Sequence, residues 1–497
     1  MIRYASKRSA PRAFDTAAIL PPLEARSSKM RSCKRQRPVL WATAVSYMIV
    51  ILDTSIVNVA LERIAEKLAG GIAALQWVVT AYTLSFASLL LTGGALTDRL
   101  GARSLYICGL ATFALASAFC GFAPSVALLV VGRMVQGVGA ALLVPASLTL
   151  INETWPDPGA RAAVVGLWTG LGGVAMASGP LVGGMLIRFI GWRSIFLVNV
   201  PICLAGIWLV CRVSPERSKP RPAIAGKFDL AGQVAAIVSL VLLNLSVISA
   251  PHYGWRSPVI IGCMAATLAT GVAFLAIEAT RTDPMVPLNL FRNAAFSGAV
   301  WVSMVSAFTF YGLIFDLGLL FQRQLGYSPL STGLAFLPLT VAVPAGSLFS
   351  KRLTERLGPR RLVVGAFLLA AGGYFSLMEV APLRPYALFA LPLPAIGLAA
   401  SLITPVTTTA TMASVDRGRA GIAAGVLNAA RQTGAVLGVA WSGALLAGHT
   451  TIREGMQTSL LIAGLLSAVA GAIWWRALRS DSVYGDNAER RPAAVSE

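Results

Sequence analysis

The chain has 497 residues, of which 56% are hydrophobic and only 12% are charged. Soluble domains carry roughly 25% charged residues, so the composition excludes an ordinary water-soluble globular protein. The net charge of +20 would suit a nucleic-acid-binding protein, but the lysines and arginines concentrate in the first 38 residues and in every second loop, as in multispanning membrane proteins.

Residues 1–38 are polar and basic, and four prolines interrupt them. This composition predicts a disordered cytoplasmic tail. The tail lacks the apolar stretch of a secretory signal. An arginine-rich targeting peptide is the alternative, and Met30 is a second candidate start of the chain.

Fourteen apolar segments follow, and each is long enough to cross roughly 30 Å of hydrocarbon as a helix. They do not show the strict alternation of transmembrane barrel strands. We therefore predict an all-α membrane protein with 14 transmembrane helices. The segments cover approximately residues 39–61, 75–96, 104–123, 126–150, 162–187, 194–213, 229–250, 257–279, 295–321, 332–350, 362–381, 384–406, 421–447 and 458–477.

The even number of segments places both ends of the chain on the same side of the membrane. The two tails and the even-numbered loops, counted with the segment ends beside them, contain 31 lysines and arginines, whereas the odd-numbered loops and their adjoining segment ends contain 8. Because cytoplasmic loops carry the excess of positive charge, both termini are predicted to be cytoplasmic. We expect a multi-pass protein of the cell (inner) membrane.

A short repeat divides the chain. The loop after the second segment reads LTDRLGAR (96–103), and the loop after the tenth reads LTERLGPR (353–360), with six of eight positions identical. Two duplicated six-helix halves with an inserted helix pair would explain this repeat. The predicted organisation is a tail, a first half, an inserted pair with its linkers, a second half and a second tail, at residues 1–38, 39–213, 214–293, 294–477 and 478–497.

Four further motifs accompany this loop. They are LDTSIVNVAL (52–61), RMVQGVG (133–139), a glycine-rich fifth segment (172–184) and WRSIFLVNVP (192–201). Together the motifs resemble the major facilitator superfamily, and specifically its fourteen-spanner drug:proton antiporter family, over about residues 39–477. Ser55 and Glu62 depart from the family pattern, which usually has threonine and proline there.

The resemblance implies the major facilitator fold and a secondary active transporter, not an enzyme. Such a protein, a multidrug efflux permease, exports small amphiphilic or cationic compounds in exchange for protons by alternating access. Proton-linked uptake, or transport of a metabolite, on the same fold is the alternative. The sequence has no phosphate-binding loop for ATP, and we expect no cofactor and no metal.

The expected partners are a small-molecule substrate, protons and the lipid bilayer, without nucleic acid. The chain would act either as a monomer or with a periplasmic adaptor and an outer-membrane channel.

Asp53 and Arg133 are the candidates for proton coupling. A carboxylate in the middle of a segment costs roughly 2.5–3.5 kcal/mol in lipid, so Asp53 should face the central cavity. Arg133 lies in the fourth segment of the same half and is its natural electrostatic partner. The resemblance assigns this arginine to proton coupling. Permanent structural pairing of Asp53, and structural hydrogen bonding by Arg133, are the alternatives.

The predicted substrate cavity contains polar and aromatic residues of both halves. Asp316 is the most individual of them, because the resemblance implies an apolar residue at that position; a hydrated acid near the segment end is the alternative. The aromatic members could stack on flat cations or serve as packing and interface anchors. The full set is Asp53, Asn58, Trp77, Tyr82, Gln136, Asp316, Asn428 and Arg431. For Asn428 and Arg431 the alternative is that they tie the helices of the second half together.

Two further groups are predicted to serve conformational change. The repeated loops hold charges that can form ion pairs in one state of the transporter, and their residues are Gly94, Asp98, Arg99, Gly101, Arg103, Glu355, Arg356 and Arg360. The fifth segment carries the motif associated with antiporters, in which small residues permit close helix contact. Its residues are Gly172, Gly179, Pro180, Gly183 and Gly184.

Overall fold

The computed structural model describes residues 23–155, 157–212, 229–281, 284–380, 385–415 and 420–478, and their regular secondary structure is helical throughout. The helices are α1 (Leu23–Leu68), α2 (Ile72–Leu100), α3 (Ala102–Phe122), α4 (Val126–Thr154), α5 (Pro158–Phe189), α6 (Ser194–Leu197), α7 (Asn199–Arg212), α8 (Leu230–Tyr253), α9 (Pro258–Thr280), a 3₁₀ turn (Leu288–Arg292), α10 (Ala294–Leu319), a π turn (Leu320–Gln324), α11 (Pro329–Ala335), α12 (Leu337–Glu379), α13 (Tyr386–Ala390), α14 (Leu393–Ala413), α15 (Ala420–Gly448) and α16 (Ile452–Ala477).

Twelve helical stretches among the described residues are long and apolar enough to cross a membrane. The prediction of an all-α membrane protein is therefore confirmed. Two features bear on the expected number of 14. Gly358 has non-helical dihedral angles and divides α12 into two helices, and α15 is a further helix of 29 residues.

Many helices begin at a side chain that satisfies a free backbone N–H group. Serine, aspartate, asparagine and threonine are favoured at this position because their oxygen accepts a hydrogen bond that the helix cannot supply. These residues mark helix starts that apolar composition alone does not locate. They are Ser125, Asp157, Asp229, Ser257, Asn293, Ser328 and Thr451.

The first helix begins earlier than the sequence led us to expect. We predicted a disordered tail up to residue 38, but α1 starts at Leu23. The stretch from Leu23 to Arg37 contains neither glycine nor proline, and most of its residues are good helix formers. The candidate membrane span within α1 nevertheless starts at Pro38. The remaining parts of the predicted tails and linker (1–22, 213–228 and 479–497) lie outside the described residues.

The helices pack as two groups with a pair at their junction. Helices α1–α7 form the first group and α10–α16 the second, while α8 and α9 pack on each other and α8 contacts both α2 and α15. Gln233 of α8 donates to the Ser88 carbonyl of α2 and accepts a 2.5 Å hydrogen bond from Thr92. The inserted pair is thus attached to the first half by polar as well as apolar contacts.

The two halves contact each other closely at one end of the bundle, which we call the Glu62 end. There Arg323 of the second half forms an ion pair with Glu62 of the first, and Gln76 Nε2 donates to the Ala440 carbonyl at 2.7 Å. The larger apolar core includes buried residues of both halves, among them Ile56 and Phe321.

At the opposite end, which we call the Gly101 end, buried residues of the first half form a separate apolar cluster that includes Leu105 and Val210. The halves are therefore joined mainly toward the Glu62 end.

Candidate functional site

A buried ion pair lies at the centre of the first half. Nη1 of Arg133 on α4 donates to Oδ2 of Asp53 on α1, and both side chains are at most 1% exposed. The predicted electrostatic partnership is therefore present. The second Asp53 oxygen, Oδ1, accepts hydrogen bonds from Asn199 at 3.0 Å and from Gln136 at 3.4 Å. The carboxylate is held entirely by protein donors.

The network extends to five helices. Arg133 Nη1 also donates to Gln136 Oε1 at 2.9 Å, and Nε donates to the Val78 carbonyl of α2 at 3.0 Å. Ser117 of α3 accepts from Gln136 at 2.7 Å and from Asn199 at 3.4 Å. Because removing one member of a buried ion pair leaves an uncompensated charge, such a loss typically costs about 3–5 kcal/mol.

Tyr82 covers the arginine rather than the cavity. The guanidinium carbon of Arg133 lies 4.3 Å from the centre of the Tyr82 ring and 5.9 Å from that of Phe196. Tyr82 and Gln136 are both fully buried. We expected these two residues at the cavity surface; in this conformation they instead belong to the layer that encloses the Asp53–Arg133 pair.

Partly exposed side chains of both halves include Tyr47, Tyr311, Arg431 and Asn428, and we call the region around them the cleft. Tyr47 of α1 stacks on Trp168 of α5 with 3.7 Å between ring centroids. Arg431 of α15 lies near Tyr47 and near Tyr311 of α10. The side chains of Tyr47, Tyr311 and Arg431 are half-buried, and Asn428, one turn away on α15, is exposed. The predicted residues Asn428 and Arg431 thus share one face of α15 beside this cleft.

Arg431 is held in place by neutral groups. Its Nη2 donates to the Thr404 carbonyl at 2.9 Å, to Thr407 Oγ1 at 3.2 Å and to Thr408 Oγ1 at 2.8 Å. All three acceptors lie on α14. The contact fixes the guanidinium against the second half while leaving it beside the aromatic residues of the first.

Two predicted cavity residues serve packing instead. Trp77 is half-buried among apolar residues of α8 and α15, including Val247 and Trp441. Asn58 is buried and donates to the Thr54 and Ser55 carbonyls of its own helix. The Asn58 carbonyl lies beside Gly318 of the second half. The structure of Trp77 therefore matches a packing role better than stacking on a flat cationic ligand.

Asp316 lies inside the second half, away from the cleft. It is 1% exposed, and its Oδ2 accepts a 2.7 Å hydrogen bond from Ser459 of α16. Ser459 also contacts Ser442 of α15 at 3.1 Å. The other oxygen, Oδ1, is buried and has no hydrogen-bond partner among the described residues. The expectation of a second acid facing the cavity, or of a hydrated one, does not match this position.

The repeated loops have the same local structure in both halves. Gly101 and Gly358 adopt positive φ angles of 87° and 75°, which glycine accommodates without steric cost. Two residues later, Arg103 Nη2 donates to the Cys211 carbonyl at 3.1 Å and Arg360 Nε to the Trp475 carbonyl at 3.0 Å. Each arginine thus binds a carbonyl at the end of the last helix of its own half, where carbonyls lack helical partners.

The other predicted loop residues lie around these turns. Arg99, Glu355 and Arg356 are exposed and Gly94 is half-buried. The side chain of Asp98 lies outside the described part of the structure.

The glycines of α5 allow close contacts with both halves. A Cβ atom on Gly172 would overlap the Tyr47 ring, and one on Gly179 would overlap Ser55 of α1. A Cβ on Gly184 would lie 2.6 Å from the Pro329 carbonyl oxygen of the second half. The remaining members, Gly183 and Pro180, approach Ile56 and Gly333 respectively. The motif therefore packs α5 against α1 on one side and α11 on the other.

Ser117, Asn199 and the Glu62–Arg323 ion pair were not predicted as site residues. Asn199 stands in the WRSIFLVNVP motif, and an amide within an apolar segment is a signal that could have been used. Ser117 offers no such signal, because single serines are common in membrane helices and only the fold brings this one to Gln136.

Comparisons with known proteins agree with this architecture. The sequence profile of the Major Facilitator Superfamily matches residues 43–439. The methylenomycin A resistance protein of Bacillus subtilis (strain 168) is 34% identical over 439 residues, covering 88% of this chain and 93% of the relative. The puromycin resistance protein of Streptomyces alboniger is 35% identical over 439 residues, covering 86% of each chain.

A third relative is the tetracenomycin C resistance and export protein of Streptomyces glaucescens, 33% identical over 417 residues, covering 83% of this chain and 76% of the relative. Among solved structures, a bacterial homologue of the human lysosomal transporter Spinster, in an inward-facing and unoccupied conformation, matches with a TM-score of 0.63 and 17% identity. This match covers 90% of this chain and 97% of the other.

Proposed function

The chain belongs to the Major Facilitator Superfamily, and we propose that it exports small amphiphilic compounds in exchange for protons. It is a multi-pass membrane transporter, not an enzyme. The names of its relatives denote resistance to methylenomycin A, puromycin and tetracenomycin C, and one of them denotes export. These names support export of drug-like compounds.

The observation that carries the proton coupling is the buried Asp53–Arg133 pair. A proton on Asp53 would remove the negative charge that holds the guanidinium. Arg133 remains charged at any working pH, so it would then need other acceptors, and the helices carrying the network would rearrange. Loss of the proton would restore the pair. The network spans α1, α2, α3, α4 and α7, so a change at Asp53 reaches most helices of the first half.

The topology that we propose has fourteen spans. The break at Gly358 and the long helix α15 support this number. The charge distribution of 31 against 8 supports cytoplasmic termini in the cell (inner) membrane. The Gly101 end would then face the cytoplasm, and the contacts at the Glu62 end would close the outer side.

The proton gradient supplies the energy in this scheme. Each charge that moves inward gains about 2.3 kcal/mol per 100 mV, and each unit of pH difference adds about 1.4 kcal/mol. Alternating access would let Asp53 exchange its proton with one side at a time. Export then needs no cofactor beyond the gradient.

Transport by everted membrane vesicles tests the proposal. Vesicles with the wild-type chain should accumulate amphiphilic dyes when respiration acidifies the lumen, and an uncoupler should abolish this. The dye panel should include cationic, neutral and anionic members. Asp53→Asn should abolish proton-driven accumulation, whereas Glu66→Gln, an exposed acid in the same helix, should not.

Each outcome has a distinct meaning. Gradient-independent accumulation by the wild type, or full activity of Asp53→Asn, would overturn proton coupling through this residue. Net movement of substrate in the opposite direction, into intact cells with protons, would indicate uptake. If no compound of the panel moves across the membrane of proteoliposomes, the protein transports none of these compounds and their proposed export is wrong.

A further inference from the structure

Arg431 is a charged residue within α15 whose charge no protein group balances in the described structure. Arg133, which also lies well inside a predicted membrane segment, is paired with Asp53. Arg431 donates only to a carbonyl and two threonine hydroxyls, and no ion pair between it and a carboxylate occurs among the described residues. A cation in a membrane interior is costly, so its presence beside a cleft calls for an explanation.

The hydrogen bonds of Arg431 hold one nitrogen and leave the others available. All three use Nη2, and the described structure contains no hydrogen bond from Nε or Nη1. A guanidinium presents five N–H donors in a planar fork that matches carboxylates. The threonines of α14 therefore fix the orientation of a donor set that is still free to bind an anion.

The opposite side of the cleft is aromatic. Tyr47 stacks on Trp168, and Trp168 is fixed by a 3.2 Å hydrogen bond from its Nε1 to the Thr43 carbonyl. Tyr47 and Tyr311 both lie within electrostatic range of Arg431. Trp168 itself is buried, so the ring that the first half presents near the fixed cation of the second half is that of the half-buried Tyr47.

The acids of the protein interior do not offset this cation. Asp53 is fully buried against Arg133, and Asp316 is buried against Ser459 between α10 and α16. Both acids belong to the set of residues that we predicted to line the substrate cavity. In this structure neither is available to a ligand beside Arg431, which would repel a cation.

We propose that Arg431 binds the anionic head of the transported compound, and that the transporter therefore prefers amphiphilic anions to cations. A carboxylate or sulfonate would accept from Nε and Nη1 of Arg431, and the apolar body would lie on the Tyr47 ring. This inference rests on the proposed export function and names its substrate class. Asn428, exposed one turn away, would hydrogen-bond polar groups of the same ligand.

Such a substrate changes the electrical balance of transport. A proton that enters the cell carries positive charge inward. An anion that leaves the cell carries negative charge outward, which has the same electrical effect. One-for-one exchange would therefore move two charges per cycle with the membrane potential. A monocation exchanged for one proton would move none. Coupling to the potential would then need no second acid such as Asp316.

A matched pair of probes tests the site. Binding of radiolabelled 1-naphthaleneacetate and of 1-naphthylmethylammonium, which share a ring system and differ in charge, is measured on the full chain in phosphatidylcholine nanodiscs. The wild type should bind the anion about tenfold more tightly than the cation. Arg431→Gln should weaken anion binding by about tenfold and remove the preference, while Arg431→Lys should keep part of it.

Controls separate local from general effects. Arg188→Gln removes one positive charge from an exposed position of α5 and should leave both affinities unchanged. Unfolding temperatures show whether Arg431→Gln is folded, and binding of the cation by this variant should be equal to or tighter than that of the wild type. Phosphatidylglycerol added to the nanodiscs should not compete; loss of anion binding upon its addition would assign Arg431 to a lipid headgroup and overturn the proposal.

Three other results would also overturn the anion site. They are equal or tighter binding of the cation by the wild type, binding of neither probe, and an undiminished anion preference in Arg431→Gln. Equilibrium binding needs no gradient, so this result is independent of export. Transport of the cation but not the anion in proteoliposomes would remove the anion site and leave proton-driven export intact. Binding of the anion without transport of any compound would keep the anion site and overturn proton-driven export.

Discussion

Arg323 Nε donates to Glu62 Oε2 at 2.5 Å, and the two residues belong to different halves of the transporter. Their side chains are 25% and 19% exposed, so the ion pair is partly shielded from water. Glu62 is also a position where the family pattern has proline. This ion pair between the halves therefore uses a position at which the chain departs from the family pattern.

Glu62→Gln should weaken the closed state at the Glu62 end. An ion pair of this exposure contributes about 1 kcal/mol, which corresponds to roughly a fivefold change in the ratio of two states. Leu330 lies opposite Gly184. When Leu330→Cys is added to both proteins, a maleimide should label this cysteine faster in Glu62→Gln than in the wild type, by a similar factor. Exchanging the charges, with Glu62→Arg and Arg323→Glu together, should restore slow labelling. An unchanged rate in Glu62→Gln would show that the pair does not hold the closed state.

Gly184→Val should hinder contact between the halves without unfolding the first half. A side chain at this position meets the Pro329 carbonyl and Leu330 of the second half. We expect transport to fall at least about tenfold, with faster labelling at Leu330→Cys, because overpacking an interface of this kind costs roughly 1–3 kcal/mol. Gly173→Val is the matched control, since a Cβ at Gly173 has no neighbour within 4 Å. Equal loss of transport in both variants would indicate that valine acts through its lower helix propensity and not through the contact between the halves.

Arg360→Ala should destabilise the second half more than Arg103→Ala destabilises the first. Both arginines bind the end of a last helix, but Arg360 also stacks on Trp475 with its guanidinium carbon 3.6 Å from the ring centre. The hydrogen bond and the cation–π contact together contribute about 1–3 kcal/mol.

Thermal unfolding in detergent measures this difference, and Arg356→Ala in the same loop, an exposed residue, provides the reference. A larger loss in Arg103→Ala would contradict the expected order.

The features that the sequence predicts best are those set by local chemistry or by duplication. Asp53 and Arg133 are charges in apolar segments of one half, and such charges are costly unless they are paired. Gly101 and Gly358 occupy equivalent turns because the motif repeats and only glycine suits the backbone angles found there. Both conclusions needed no knowledge of how the helices are rotated.

The features that it predicts poorly depend on helix rotation and packing. Soluble helices reveal their buried face through an apolar stripe, but helices in lipid are apolar on all sides and carry little of this signal. Tyr82 and Trp77 could therefore be assigned to the cavity, although one covers Arg133 and the other packs on α8. The same lack of a directional signal led us to assign Asp316 to the cavity.

Asp316→Asn should leave proton-driven export intact and raise thermal stability. The carboxylate is buried, one of its oxygens has no hydrogen-bond partner in the described structure, and its described partner at 2.7 Å is a serine. A buried polar oxygen without a hydrogen-bond partner costs about 1–3 kcal/mol, and an ionised carboxylate there would cost more. A neutral side chain of the same shape should therefore be tolerated well. Asp53→Asn, by contrast, removes the partner of Arg133 and should lower stability.

Vesicle transport and thermal unfolding of the two variants, measured side by side, check this contrast. Loss of export in a well-folded Asp316→Asn protein would assign the residue a role in coupling despite its distance from the cleft.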